Sequence, residues 1–214
     1  MTAIPPAEPV EATNRTTTEL LTEYVGRRVT GLQSAYQNDS PAAVATLARF
    51  RRVTPTSGSL GLDAWEAFGG MPEQIMGRGD AIGRAELAAI AALSFFATHQ
   101  QSRRDAGMHQ PGHRFALGRS IARLAYVTRS AGVERRFRAL VRANDIDATL
   151  QYLRGLIPQL RGERIPLDYA GLAKDLYLIQ LPDGLPGVRL RWTRDFHRPI
   201  GDQADTPTET GDQQ

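Results

Sequence analysis

The stretch R-F-A-L-G-R-S-I-A-R-L-A-Y-V-T-R-S-A-G-V-E-R-R-F-R-A-L-V-R, residues 114–142, decides the fold class. In its first half Leu117, Ile121, Leu124 and Ala125 recur at i, i+4, i+7 and i+8, the spacing of one helical face, while Arg119 and Arg123 stand four apart off that face. The second half repeats the design. Val133, Phe137, Leu140 and Val141 form an apolar stripe, and Arg135, Arg138 and Arg142 fall at i, i+3 and i+7 on another face with Arg136 beside them. Between positions 103 and 142 ten arginines face two acids, Asp105 and Glu134. Like charges four apart on a helix repel by roughly 0.2–0.5 kcal/mol per pair. Helices that carry this repulsion without acidic neighbours fit a polyanion, although a solvated face carries the same pattern. The 25 arginines against a single lysine, Lys174, also fit a coding bias.

Working outward, 214 residues with 41% hydrophobic content are enough for one large domain or two small ones with a real core. The net charge of +3 understates the basicity of the middle, because residues 199–214 carry Asp202, Asp205, Glu209 and Asp212 and no cation. With no cysteine, disulfides and thiolate metal sites are ruled out. The opening M-T-A-I-P-P-A-E-P has neither the basic nor the apolar segment of a signal peptide, and the longest apolar run, 87–97, is too short to span a bilayer. A soluble cytoplasmic protein without a membrane partner is the expectation.

The other segments also read as helices. Thr16 followed by Glu19 makes a capping box ahead of Leu20, Leu21, Tyr24, Val25, Leu32 and Tyr36. Ser40-Pro41 starts a second helix with Val44, Leu47 and Ala48 inward, Arg49 and Arg52 outward and Arg51 at the edge. Trp65 and Phe68 are expected to anchor a short helix. The segment 84–101 is apolar nearly all round and predicts a buried central helix, followed by a flexible basic connector over 102–114. Asn144 or Asp145 caps a helix through Leu150, Leu153, Ile157 and Leu160 that Pro158 should kink, and Tyr169, Leu172, Leu176 and Ile179 mark another. Residues 187–198 alternate like a strand and also repeat like a helix at Val188, Trp192 and Phe196. A lone strand has no partner here, so helix is preferred. The expected class is all-α, with about eight helices in two packed bundles, 16–107 and 108–198, between disordered tails 1–15 and 199–214.

No H-E-x-x-H, acidic dyad, G-x-S-x-G or phosphate-cradling glycine loop is present. His99 reads as a hydrogen-bonded structural histidine. His109 and His113 are four apart, but Pro111 and Gly112 keep them off one helical face. No catalytic residue, metal site or cofactor is expected. Two rival readings are a duplex-reading helical regulator, for which the arginine faces lack Asn and Gln, and a metal hydrolase built on His99, His109 and His113.

Several pieces in order, L-A-R-F-R-R-V (47–53), F-F-A-T-H-Q-Q-S (95–102), M-H-Q-P-G-H-R-F-A-L-G-R-S-I-A-R-L-A (108–125), V-E-R-R-F-R-A-L (133–140), L-Q-Y-L-R-G-L (150–156), L-D-Y-A-G-L-A-K-D-L-Y (167–177) and R-W-T-R-D-F-H (191–197), resemble the small CasB-type subunit of the Type I-E CRISPR surveillance complex, Cascade. The resemblance implies a non-enzymatic all-α subunit, present as two copies beside other Cascade subunits and guide RNA. In that role it helps hold the R-loop open during antiviral defence by contacting single-stranded target and displaced DNA. The residues expected to make a sequence-independent contact with nucleic-acid backbone are Arg119, Arg123, Arg135, Arg136, Arg138 and Arg142, with Arg51, Arg52 and Arg154 in addition. Phe115, Phe137, Trp192 and Phe196 have core spacing and are expected to pack rather than stack on bases.

Overall fold

The computed structural model describes residues 15–53, 68–79 and 81–199. Among these are eight α-helices: α1 Thr17–Gln37, α2 Pro41–Arg52, α3 Arg84–Gln100, α4 Leu117–Thr128, α5 Ala131–Arg142, α6 Ile146–Gly162, α7 Tyr169–Ile179 and α8 Gly184–His197. The described residues contain no strand, only one isolated bridge between His109 and Leu167. The expected Trp65 helix and the two tails, apart from Arg15 and Pro199, lie outside the described residues.

Local chemistry sets the helix starts. Thr16 Oγ1 accepts the Glu19 N–H at 3.3 Å while Glu19 Oε2 accepts the Thr16 N–H at 2.8 Å, so two amides that a helix end leaves orphaned are satisfied reciprocally. Ser40 caps α2 with Pro41 in its first turn, Asp145 caps α6 and Asp168 caps α7. Arg129 takes the left-handed conformation (φ 47°), which turns the chain sharply from α4 into α5.

α3 is the central element. Every residue from Ala85 to Ala97 is buried, and α1, α2, α6 and α7 all pack on it. Its alanines let those neighbours approach closely. Glu86 is buried within this helix, its carboxylate accepting the Gly77 and Gly83 N–H groups at 2.6 and 2.8 Å. One continuous apolar core draws side chains from all eight helices, and α7 bridges the two halves of the chain by packing on α1, α3 and α8.

Three local expectations are resolved by tertiary contacts. The segment 187–198 is helical, because helical spacing buries Val188 and Trp192 together and places Trp192 Nε1 to donate to Asp175 Oδ2 at 2.7 Å. α6 runs unbroken through Pro158, whose ring lies on its exposed side. The connector after α3 is pinned instead of loose. Gln100 Oε1 accepts the Met108 N–H and its Nε2 donates to Ala106 O, both at 2.9 Å, while Gln33 Oε1 accepts the His109 N–H at 2.7 Å. Leu167 then joins it through backbone bonds to Met108 and Gln110.

Candidate nucleic-acid interface

α5 carries its cations as the apolar stripe dictates. Val133, Phe137 and Leu140 turn into the core, which leaves Arg135, Arg136, Arg138 and Arg142 exposed. Arg138 pairs with Glu134 one turn back at 3.3 Å; both groups are largely exposed, so the pair contributes little to stability. Among the described residues no carboxylate lies within ion-pair distance of Arg135, Arg136 or Arg142. Arg138 and Arg142 edge a 310 Å³ groove between α5 and α8, floored by Phe137, Val141 and Phe196 and closed by His197. Phe137 and Phe196 stack there with ring centroids 4.3 Å apart, so the groove floor is a packed aromatic pair.

A second basic site joins three helices. Arg51 from the end of α2 and Arg154 from α6 face one 190 Å³ cleft across Ser94, Phe95 and Thr98 of α3. Ser94 is 4% exposed, and its hydroxyl has no hydrogen-bond partner among the described residues. Arg51 and Arg154 give the rim of this cleft two cations beside a buried hydroxyl. The structure thus brings Arg51 and Arg154 together, although they are about a hundred positions apart in sequence. Arg52 is exposed beside them.

On α4 the expectation needs correction. Arg119 does not stand off the helix: it is 4% exposed, and its Nη1 donates to the carbonyls of Arg198 and Pro199 at 3.2 and 3.1 Å. Its charge serves the end of α8, where backbone carbonyls lack intrahelical donors. Arg123 is half-buried with its guanidinium 5.3 Å from the Phe115 ring centroid. Burial first, then the neighbouring Arg114 and Arg119 charges, lower its pKa, a direction expected where cations crowd together.

The histidines are engaged inside the fold. His99 is fully buried with Nδ1 2.8 Å from Tyr169 Oη, and desolvation pushes its pKa down to about 3. His109 Nδ1 accepts the Tyr169 N–H at 3.2 Å at the start of α7, and burial lowers its pKa as well. His113 Nε2 lies 2.8 Å from Asp195 Oδ1. No cluster of three or more metal-ligating side chains occurs among the described residues, and no helix among them is long and apolar enough to cross a membrane.

Sequence periodicity missed Ser94, which reads as one more member of an apolar helix, and the Asp175 node. That carboxylate accepts from Arg191 at 2.5 Å and from Trp192 at 2.7 Å, tying α7 to α8. An aspartate in an apolar helix followed by Arg-Trp sixteen residues on was the available signal.

Comparison with known proteins agrees with this architecture. CasB from Thermobifida fusca is 34% identical, with a TM-score of 0.66 over 84% of this chain and 98% of that one. A chain of a CRISPR RNA-guided surveillance complex shares the fold at 20% identity and TM-score 0.63, covering 84% of this chain and 95% of its own. M. ruber CasB does so at 22% identity and TM-score 0.58, covering 85% and 92%. No curated protein matches. The family model for the CRISPR-associated protein Cse2 matches residues 46–197, most of the described helical core, and the chain therefore belongs to the Cse2 family.

Proposed function

We propose that this chain is the non-catalytic small subunit of a Type I-E Cascade complex and steadies the R-loop by holding separated DNA strands through their phosphates. The observation that carries this reading is the set of exposed α5 arginines, of which Arg135, Arg136 and Arg142 have no carboxylate partner among the described residues, together with the Arg51–Arg154 cleft. Family membership and the fold shared with a chain of an RNA-guided surveillance complex support a place beside other subunits and guide RNA. The site residues are Arg135, Arg136, Arg138 and Arg142 on α5, Arg51, Arg52 and Arg154 around the cleft, and Arg123 on α4. Two copies in the cytoplasmic complex would double this surface.

Such contacts suffice physically. Exchange of a DNA duplex for an RNA–DNA duplex is close to neutral in free energy, so a few backbone contacts shift its balance. Guanidinium groups bind phosphate bidentately without reading sequence, which suits a protein that must accept any target.

The test is R-loop lifetime in a reconstituted complex carrying this chain either as wild type or with Arg135, Arg138 and Arg142 changed to Glu. A shorter lifetime with unchanged complex assembly is the expected result. An unchanged lifetime in a complex that retains the variant chain would overturn the assignment.

A further inference from the structure

We propose that the cleft between α2, α3 and α6 takes in one unstacked nucleobase of the bound strand, with Arg51 and Arg154 at its rim beside the flanking phosphates. The inference rests on the nucleic-acid reading and adds a place for a base to a contact otherwise made through phosphates.

Three helices build this cleft. Val53 directly follows α2, Ser94, Phe95 and Thr98 come from α3, and Arg154 and Ile157 come from α6. Val53, Phe95 and Ile157 give it apolar walls. Its volume of 190 Å³ compares with the roughly 150 Å³ in which an apolar protein cavity holds one benzene molecule. That is room for one aromatic ring system and not for two stacked bases.

Ser94 supplies a second, independent observation. It is 4% exposed, and its Oγ has no hydrogen-bond partner among the described residues. A buried hydroxyl left in that state costs free energy that a polar ligand edge would recover. One turn further along α3, Thr98 Oγ1 donates to Ser94 O at 3.1 Å, which leaves it only lone pairs to offer the cleft. Ser94 still has its proton to give. The cleft therefore presents one donor and one acceptor side by side, and every nucleobase carries an adjacent acceptor and donor on its pairing edge. Such a site holds a base without choosing which one.

The walls favour a base over a phosphate as the occupant. A phosphate is charged on all sides, and hydrocarbon cannot replace its hydration. A nucleobase has apolar faces for Val53, Phe95 and Ile157 and a polar edge for Ser94 and Thr98, the mode in which extruded bases are held in pockets. Arg51 is half-buried and Arg154 is exposed at the mouth, so a strand lying across it keeps its phosphates in solvent beside two cations while one base turns inward. In a strand already separated from its partner, that turn breaks no base pair.

The test uses the full chain with isotope-labelled valine and isoleucine methyls, titrated with an oligo-dT, with a strand of the same length whose sugars carry no bases, and with inorganic phosphate. Shifts of the Val53 and Ile157 methyl signals with oligo-dT alone are the expected result. Contacts to one base make oligo-dT the tighter ligand by about fivefold or more. Thr98→Phe, which fills the cleft, should bring the ratio of the two affinities toward one, and Ser94→Ala should lower that ratio at least about twofold. Should Thr98→Phe fail to fold, Ser94→Ala and the methyl shifts decide. Methyl signals that move equally with the base-free strand or with phosphate would make the cleft a phosphate site and overturn the proposal. Methyls that stay silent while oligo-dT binds would overturn it too, as would an undiminished ratio in both folded variants, because the bases would then be held elsewhere. In each of these results DNA still binds and the nucleic-acid reading stands. Binding of neither strand would refute that reading and this inference together.

Discussion

Acid should unfold this protein through His99 in particular. In the unfolded chain the imidazole titrates near its ordinary 6.5, whereas in the fold burial against Tyr169 pushes its pKa down to about 3. The folded state binds the proton less readily than the unfolded state does. The contribution is therefore fully present above pH 6.5 and is lost progressively as pH falls from 6.5 toward 3. Each pH unit in that window is worth about 1.4 kcal/mol per group. Going from pH 7 to pH 4.5 spans about two effective units and removes on the order of 3 kcal/mol. Since pH 4.5 still lies well above the folded value, this figure depends mainly on the unfolded one. His109 adds in the same direction, because its Nδ1 must stay unprotonated to accept the Tyr169 N–H. Carboxylates titrate in the same range, so the assay is a difference: urea unfolding of wild type and His99→Gln at pH 7.0 and 4.5. The variant starts less stable at pH 7.0 but should lose a few kcal/mol less on acidification, on the order of 3 kcal/mol. Equal losses in the two proteins would show that His99 does not carry a depressed pKa, and the description of the buried His99–Tyr169 pair would be wrong.

Two further outcomes concern the junction of α4 and α8. A Cβ at Gly118 would meet the Trp192 carbonyl oxygen at 2.3 Å and the Asp195 Cβ at 2.7 Å. Gly118→Ala therefore has to push two backbones apart, and should cost about 1–3 kcal/mol in chemical denaturation, where a change near zero would contradict the close crossing. Arg119→Met keeps the stem but removes both carbonyl contacts, leaving the Arg198 and Pro199 oxygens without that donor. It should lower stability by about 1–3 kcal/mol. It should also leave the salt slope of DNA binding unchanged; a shallower slope would return Arg119 to the contact surface.

How far the sequence could be read follows from where each signal resides. The α5 stripe was legible because Val133, Phe137 and Leu140 bury one face only, so burial and exposure both follow from local spacing. Capping at Thr16, Ser40 and Asp145 was legible for the same reason, the partners being three residues away. Arg119 was misread because α8 crosses α4 at Gly118, a residue with no side chain to register as hydrophobic, so the buried arc of α4 is wider than its apolar stripe. The pinned connector was invisible since its bonds run from Gln33 and Gln100, residues whose polarity predicts exposure. The Arg51–Arg154 cleft was half legible. Both arginines were candidates, yet their meeting over Ser94 depends on α2 and α6 flanking α3, a fact of tertiary packing.

The central claim, that α5 presents phosphate-binding cations, is met most directly by the salt dependence of single-strand binding. For single-stranded DNA the log–log slope of affinity against salt is about −0.7 per phosphate neutralised. With Arg135, Arg138 and Arg142 changed to Gln, which removes three positive charges while keeping polar side chains, the slope should become shallower by about 2 and low-salt affinity should fall with it. A variant that folds like wild type and keeps both its slope and its affinity would contradict the account.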